Sequence, residues 1–522
     1  MDGSGSGKSA SYSIPNAHQM LGSYVFTDPK GELYDKTAGF LQRNGYEIKV
    51  LNLVRPQNSD GYNPLMHVAS ELDVDVIANT IVKGQKTESG SDPYWDDMAE
   101  LLLKSLIYYL IATRPEEEQN LSSCAELVRA ANAKGGNNLL TELMEQLPYD
   151  HPARMYYKSI EIAPEKTYGS ILSSLQSKLG KFDSKEIAEL TSTDTIDFEE
   201  IGRKKTAVYV ISSDTHTAYD FLLTIFFAQM IQQLYDFADL SGGRLPIPTF
   251  FILDEFANIG QVPDFDKKIS TSRSRGIQFS VILQNLDQLE AVYEKSYETI
   301  IGNCDTHIFL GSNSQKTVEY FSKALGEKTV ERRSVSVNKD RQNWMQGKSV
   351  SDQINARALL TPDELRRFDN DYCIIFEKGI RPVKAKKYYY FTKPEARKLA
   401  EFTLSHNDDR GIDRGNWRKY NPYNPYVEDK GKGQTQDLKV ESLDDLFEED
   451  KKESAPEEKK QGLPKTEVKE KQVLPEIDFE DDFAPVLPQE EEPAPEPEKD
   501  DGIDLQKELE AKFDELFGPV DE

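Results

Sequence analysis

A chain of 522 residues, 38% apolar and 30% charged, has room for two or three domains around a large buried core. It holds no apolar run of about 18 residues, so no segment of it reads as a spanning helix, and three scattered cysteines exclude a disulfide framework or a zinc knuckle. The net charge of −28 is uneven: residues 431–522 carry 31 acidic against 12 basic side chains, a net of −19, which leaves −9 for the first 430.

The chain opens MDGSGSGKSASYSIPNA. A phosphate-binding loop reads G-x-x-x-x-G-K-[ST], and Gly7, Lys8 and Ser9 fit its end, with Gly5 and Ser6 inside it. The first glycine of the pattern falls on Asp2. Such a loop works because a strand delivers a glycine turn to a helix N-terminus, where backbone N–H groups meet phosphate. No strand-like run precedes Gly3, which suggests a fragment or a start at an internal methionine; a Gly/Ser linker is the competing reading.

Tyr24 to Thr27 reads as a short strand, and Asp28 to Leu33 as a turn into a helix. A second strand, Tyr46 to Leu53, ends near Asn63-Pro64-Leu65. From Asp73 to Ile201 the pattern turns helical, with apolar spacing through Leu101, Leu102, Leu106, Tyr109 and Leu110, then Ser122 to Ala131, Asn137 to Leu147 and Ile171 to Phe182. No strong basic stripe marks it. The α/β rhythm resumes with a strand at Ala207 to Ser212 and a long apolar helix from about Thr217 to Phe237.

The strongest chemical signal follows, an apolar strand Pro248 to Phe256 that ends in Asp254-Glu255. Adjacent acids at a strand end suit nucleoside triphosphate hydrolysis, because one can face a metal and the next a water. In that reading Asp254 holds Mg²⁺ through water beside the Ser9 hydroxyl, Glu255 orients and deprotonates the attacking water, and Lys8 neutralises the β and γ phosphates of ATP. A basic stretch, Lys267 to Gly276, precedes a strand from Ile277 to Leu283, and Gln284 just past it can sense the γ phosphate. Arg273 or Arg275 is a candidate arginine finger for a neighbouring subunit, against surface solvation or a structural ion pair.

Ile300 to Leu310 reads as another strand; His307 within it suits packing better than catalysis, and the six histidines form no metal cluster. Val318 to Leu325 is a helix, Thr329 to Ser336 a strand and Arg341 to Val350 a polar loop. Thr361, Pro362 and Glu364 spell a capped helix start. Strands follow at Asp371 to Glu377 and Arg381 to Tyr389. Lys384, Lys386, Lys387 and Tyr388 to Tyr390 fit either a nucleic-acid grip or an edge strand guarded by lysines. The compact part closes near Ala400. Beyond it the Pro-, Glu- and Asp-rich tail cannot bury enough apolar surface to order itself, save a possible short helix over 503–517.

The run GSGSGKS, FTDPKGELYDKTAGFLQRNGY, YNPL, FFILDEFANIGQVPDFDKKISTSRSRGIQFSVILQNLDQLEAVY and ARALLTPDELRRF resembles the VirD4/TraG-like type IV secretion coupling proteins, in the Gram-positive conjugation branch, over about residues 1 to 400. The resemblance implies a RecA-like P-loop NTPase core with an inserted all-alpha domain and a disordered acidic C-terminal tail. The expected division is 1–72 and 202–400 for the nucleotide-binding domain, 73–201 for the all-alpha domain linked to substrate recognition, and 401–522 for the tail. It implies Lys8 and Ser9 in the phosphate loop, Asp254 and Glu255 as metal and catalytic acids, Arg273 as the arginine finger, Gln284 as the family glutamine, and Asp28 and Lys30 in a DPKGE motif. It also implies a homo-hexamer at the cytoplasmic face of the cell membrane, anchored by helices absent from this sequence, so that the chain alone is soluble. The partners implied are single-stranded DNA with its relaxase, accessory relaxosome proteins and the secretion channel. An ATP-driven transfer motor is the first reading; a nucleotide-binding recruiter with little turnover, favoured by Asp2, is the second. DPKGE and DEFANIG speak against a chromosome-partition or packaging motor.

Overall fold

A computed structural model describes residues 7–84, 93–131, 138–213, 219–337, 348–394 and 396–426. Five strands form one sheet: β1 (Ser23–Thr27), β2 (Glu47–Asn52), β3 (Thr206–Ile211), β4 (Thr249–Leu253) and β5 (Ile277–Val281), in the order β2-β3-β1-β4-β5. Every neighbouring pair is parallel. Parallel strands need cover on both faces, and β1 and β3 are buried along their whole length. Alternation sorts their side chains: Val25 joins the larger core, while Tyr24 and Phe26 join a second core under the helices α1 (Ile14–His18) and α2 (Glu32–Arg43).

Register places the site. Thr27 of β1 lies level with Leu253 of β4, so Asp28 and Asp254 each follow directly on a strand end at the same sheet edge. The Thr27 hydroxyl donates to the Asp254 carbonyl at 2.7 Å and locks the two ends together. Ligands of parallel sheets gather at this carboxyl edge.

Between Glu71 and Arg203 every described element is helical. The 21-residue helix Pro93–Thr113 runs through its centre, with Leu102, Leu103, Leu106, Ile107 and Leu110 buried. The YNPL segment ties this region to the core: Tyr62 donates to Gln229 Oε1 at 2.6 Å, and Asn63 Nδ2 donates to the Gln119 carbonyl at 2.7 Å. No helix of the described residues is long and apolar enough to cross a membrane.

Beyond β5 come β6 (Thr306–Phe309), β7 (Glu327–Val337), β8 (Lys348–Ala358), β9 (Tyr372–Glu377) and β10 (Val383–Lys386). β7 and β8 pair as an antiparallel ribbon, and β10-β9-β6 form an antiparallel sheet. The expected helix cap at Thr361 is present, with the full reciprocal box to Glu364.

Several expectations differ from the structure. Ile300 to Leu310 is not one strand: Tyr297–Asn303 is helical and buries Ile300, and the strand begins only at Thr306. Gly302 and Asn303 are weak strand formers and end the helix instead. The polar loop expected at Arg341 to Val350 already belongs to β8 from Lys348; residues 341–347 lie outside the described residues. The strand expected over Arg381 to Tyr389 shrinks to Val383–Lys386, because Pro382 has no N–H to give a ladder and the partner β9 begins at Tyr372, opposite Lys386; one last cross-strand bond, from the Lys387 N–H to the Asp371 carbonyl at 2.9 Å, follows it. The close expected near Ala400 comes later: residues 404–426 lie across the surface, held by charge pairs and not by an apolar stripe. The tail beyond Tyr426, with 503–517, lies outside the described residues.

Candidate nucleotide site

The glycine loop meets the acidic strand end. Gly7 has φ +79°, a backbone conformation that favours glycine, and a Cβ there would stand 2.7 Å from the ring of Tyr389. The chain then winds directly into helix: Ser11 N–H donates to the Gly7 carbonyl at 2.8 Å, and the turn Ser9–Ser13 runs on into α1. Ser9 is half-buried in the first turn. Gly5 and Ser6 lie outside the described residues.

Lys8 reaches across to β4. Its Nζ lies 3.2 Å from Asp254 Oδ1 and 3.7 Å from Glu255 Oε1. Gln284, just past β5, donates to the same Glu255 Oε1 at 2.8 Å, and Asn258 Nδ2 donates to Oε2 at 3.2 Å. Glu255 adopts the left-handed conformation, φ 54° and ψ 46°, uncommon for a residue with a Cβ. That backbone turn lets consecutive acids leave the strand at different angles. The fold therefore brings Lys8, Asp254, Glu255 and Gln284 into one bonded cluster.

Burial pushes the Asp254 carboxyl above the usual carboxylate range, against the pull of the Lys8 ammonium. Asp254 Oδ1 is buried and accepts no hydrogen bond; the ion pair with Lys8 is its compensation. An anionic oxygen so placed fits a hard divalent cation.

Arg273 stands outside this cluster. Its side chain is 88% exposed and its guanidinium pairs with Asp305 at 3.0 Å. Arg275 has a structural place: it makes two bonds to Asp239, at 2.9 and 3.1 Å, and lies over the Tyr235 ring. His307 is packed as the sequence suggests, between the Ile301 carbonyl and the Tyr320 hydroxyl.

The DPKGE motif is built into the same sheet edge. Asp28 is 2% exposed and accepts from the Tyr34 N–H at 2.8 Å, which caps α2. Burial pushes its pKa up to about 6. Lys30 is exposed. Gly31, at φ +71°, leaves room for the His406 ring, which a Cβ would meet at 2.3 Å.

Sequence reasoning missed two participants. Tyr389 covers Gly7 from 382 positions away, and no local pattern announces that. The strap at 404–426 is equally silent, since its anchors are arginines in a polar run. Lys384 lies over the rings of Phe368 and Tyr372.

A parallel sheet with a glycine loop and an acid pair at its carboxyl edge defines a RecA-like P-loop NTPase core. Within that class, the chain belongs to the family described as Type IV secretory system conjugative DNA transfer, which matches residues 1–413. The conjugal transfer protein TraG of Escherichia coli is 26% identical over 426 residues, covering 74% of this chain and 66% of TraG. Protein VirD4 of Rhizobium rhizogenes is 24% identical over 410 residues, covering 76% of this chain and 58% of VirD4. The chain thus spans roughly three fifths of the length of these curated relatives. A solved structure of the bacterial conjugative coupling protein TrwBdeltaN70, in an unbound form, shares the fold with TM-score 0.50 and 17% identity, over 73% of this chain and 82% of that one.

Proposed function

We propose that this chain is the ATP-hydrolysing part of a coupling protein that takes relaxase-bound single-stranded DNA and passes it to a type IV secretion channel. The bonded cluster of Lys8, Asp254, Glu255 and Gln284 carries the reading. On ATP arrival Lys8 exchanges its two carboxylate partners for the β and γ phosphates. Asp254, with the Ser9 hydroxyl, is suited to hold Mg²⁺, which supplies positive charge against the triphosphate. Glu255, held at both oxygens by Gln284 and Asn258, takes the proton of the attacking water. Arg273, exposed and only surface-paired, is free to reach the nucleotide of a neighbouring subunit in a homo-hexamer. The helical segment 73–201 recruits relaxase and relaxosome proteins, and the assembly works at the cytoplasmic face of the cell membrane.

Asp2, in place of the first loop glycine, favours a second reading, a nucleotide-binding recruiter with little turnover. DNA-stimulated ATP turnover separates the two. Wild type is expected to exceed Glu255→Gln by about 10²-fold or more, with ATP binding kept. Equal rates for the two would overturn the hydrolytic reading.

A further inference from the structure

The helix Pro152–Glu161 lies against Pro93–Thr113 and buries Ala153, Tyr157 and Ile160; the Ser105 hydroxyl donates to the Ala153 carbonyl at 2.7 Å. At about 100° per residue, its opposite side presents in order Arg154, Lys158, Ile162, Met155 and Ser159, with Ile162 as the helical C-cap. Met155 is 60% exposed and Ile162 84%. Tyr149, just before the helix, is 70% exposed and sits on the basic edge of this face, with Lys158 Nζ 3.8 Å and the Arg154 guanidinium 5.6 Å from its ring centre. A lone exposed apolar side chain is ordinary, whereas three along one short helix make a patch.

The cations of this patch are uncompensated. Lys83, Lys104, Arg114, Arg129 and Lys178 of the same helical region each pair with a carboxylate. Among the described residues Arg154 and Lys158 have no carboxylate partner; they lie over Tyr149, and Arg154 also donates to the Leu147 carbonyl at 3.1 Å.

We propose that this face, Tyr149, Arg154, Met155, Lys158 and Ile162, is a docking site for an amphipathic helix of a partner protein whose apolar stripe is flanked by carboxylates. The inference rests on the reading that 73–201 recruits partner proteins, and it adds the contact surface and the chemistry of what binds there. The spacing selects a helix: Met155 and Ile162 stand two turns apart in one row, so they meet a row of the same spacing on a helix laid alongside. The charge selects acids, because Lys158 and Arg154 border that row. Held over Tyr149, both cations lose little further freedom when a carboxylate meets them. A lipid surface fits worse. Asp150, Glu161 and Glu165 are exposed around the strip, so an anionic bilayer wide enough to cover the patch meets three carboxylates with the two cations, whereas one helix meets the strip alone.

The full chain without nucleotide tests this against three probes. The first is a synthetic peptide of about five helical turns with leucine along one stripe and glutamate beside it. The second has lysine for glutamate, and the third is vesicles of phosphatidylcholine and phosphatidylserine in about equal parts. By fluorescence anisotropy the glutamate peptide is expected to bind roughly tenfold or more tightly than the lysine peptide, and by co-sedimentation the vesicles are expected not to bind. Met155→Ser with Ile162→Ser, both at exposed positions, is expected to weaken the glutamate peptide roughly tenfold. Lys158→Glu is expected to reverse the preference between the peptides, which a loss of fold cannot do. Binding to neither peptide, equal binding to both, or affinity unchanged in the variants overturns the docking site. So does binding to vesicles in place of the peptide, which makes the patch a lipid contact. None of these results touches the hydrolytic reading, since no nucleotide is present. In mating assays the Met155 and Ile162 double variant is expected to transfer less DNA. Transfer at the wild-type level by a variant that has lost the peptide leaves the docking site standing and removes recruitment by 73–201 from the proposed function.

Discussion

Lys8 Nζ stands 3.2 Å from Asp254 Oδ1, so the cation expected to meet phosphate is held by the acid expected to meet metal. The pair is nearly buried, with side-chain exposures of 13% and 11%. Removing one member of such a pair leaves the other uncompensated, which is worse than removing both. Lys8→Ala is therefore expected to lower stability by about 2 kcal/mol without nucleotide, and Lys8→Ala with Asp254→Asn by less. Urea unfolding of the single and double variants checks the order. In the same proteins, Lys8→Ala is expected to weaken ATP by roughly 10- to 100-fold, the worth of a charge-assisted contact.

Gln284 acts through Glu255. Its Nε2 donates to the oxygen that also faces Lys8, so it sets which lone pair a water can use. Gln284→Ala is expected to cut ATP turnover roughly tenfold with ATP affinity held. Combined with Glu255→Gln it is expected to cost little more than Glu255→Gln alone, because both act on one proton transfer. Additive losses in steady-state rates would show that Gln284 works independently.

Asp28 gives the fold an inverted pH response. Its folded pKa of about 6 lies above the 3.8 of an unburied carboxyl. Between those limits the folded state holds more protons than the unfolded one. The group's contribution to stability therefore falls as pH rises through 6 and returns on acidification, by roughly 3 kcal/mol in all. His18 works the other way: its folded pKa of about 4 makes stability drop as pH falls below 6.5. Comparing Asp28→Asn with wild type by urea unfolding cancels the His18 part. The variant is expected to be the more stable at about pH 7.5 and to lose that advantage towards about pH 4. An advantage that does not shrink on acidification would rule out charge burial as the cause.

Legibility followed locality. The strand ending in Asp254-Glu255 was readable because an apolar run with an acidic end is a local pattern, and the Thr361 box because its partners are three residues apart. The helices between Glu71 and Arg203 were readable from apolar spacing. What escaped was non-local or sheet-dependent. The Tyr389 ring over Gly7 joins positions 382 residues apart, and the tyrosines after β10 leave the sheet because the partner β9 starts only at Tyr372, opposite Lys386. Arg273 was readable as a basic residue before a strand, yet its exposure was not, since burial depends on what packs beside it.

The strap at 404–426 joins parts of the molecule that the chain visits far apart, and its anchors are charges at regular spacing. His406 packs on Gly31 and bonds Asp35; Arg410 bonds Asp60 Oδ2 at 2.6 Å and the Ile48 carbonyl at 3.0 Å. Four residues on, Arg414 takes the Ser59 carbonyl at 2.8 Å, and after another four Arg418 takes Glu118 at 2.8 Å and Glu117 at 2.8 Å. Tyr420 then buries against the Arg114 guanidinium, its N–H donating to Ser123 at 2.9 Å. The strap thus clamps the helical region to the edge strand β2. Asp60 is 4% exposed, so Arg410→Ala strands a buried carboxylate and is expected to cost about 3 kcal/mol. Asp60→Asn in that background is expected to recover part of the loss, because the amide is neutral and its oxygen can still accept from Val50 N–H. Tyr420→Ala is expected to cost a similar amount by leaving a cavity. Thermal unfolding of the three variants decides whether the segment is part of the folded unit: midpoints equal to wild type would mean that the strap holds nothing.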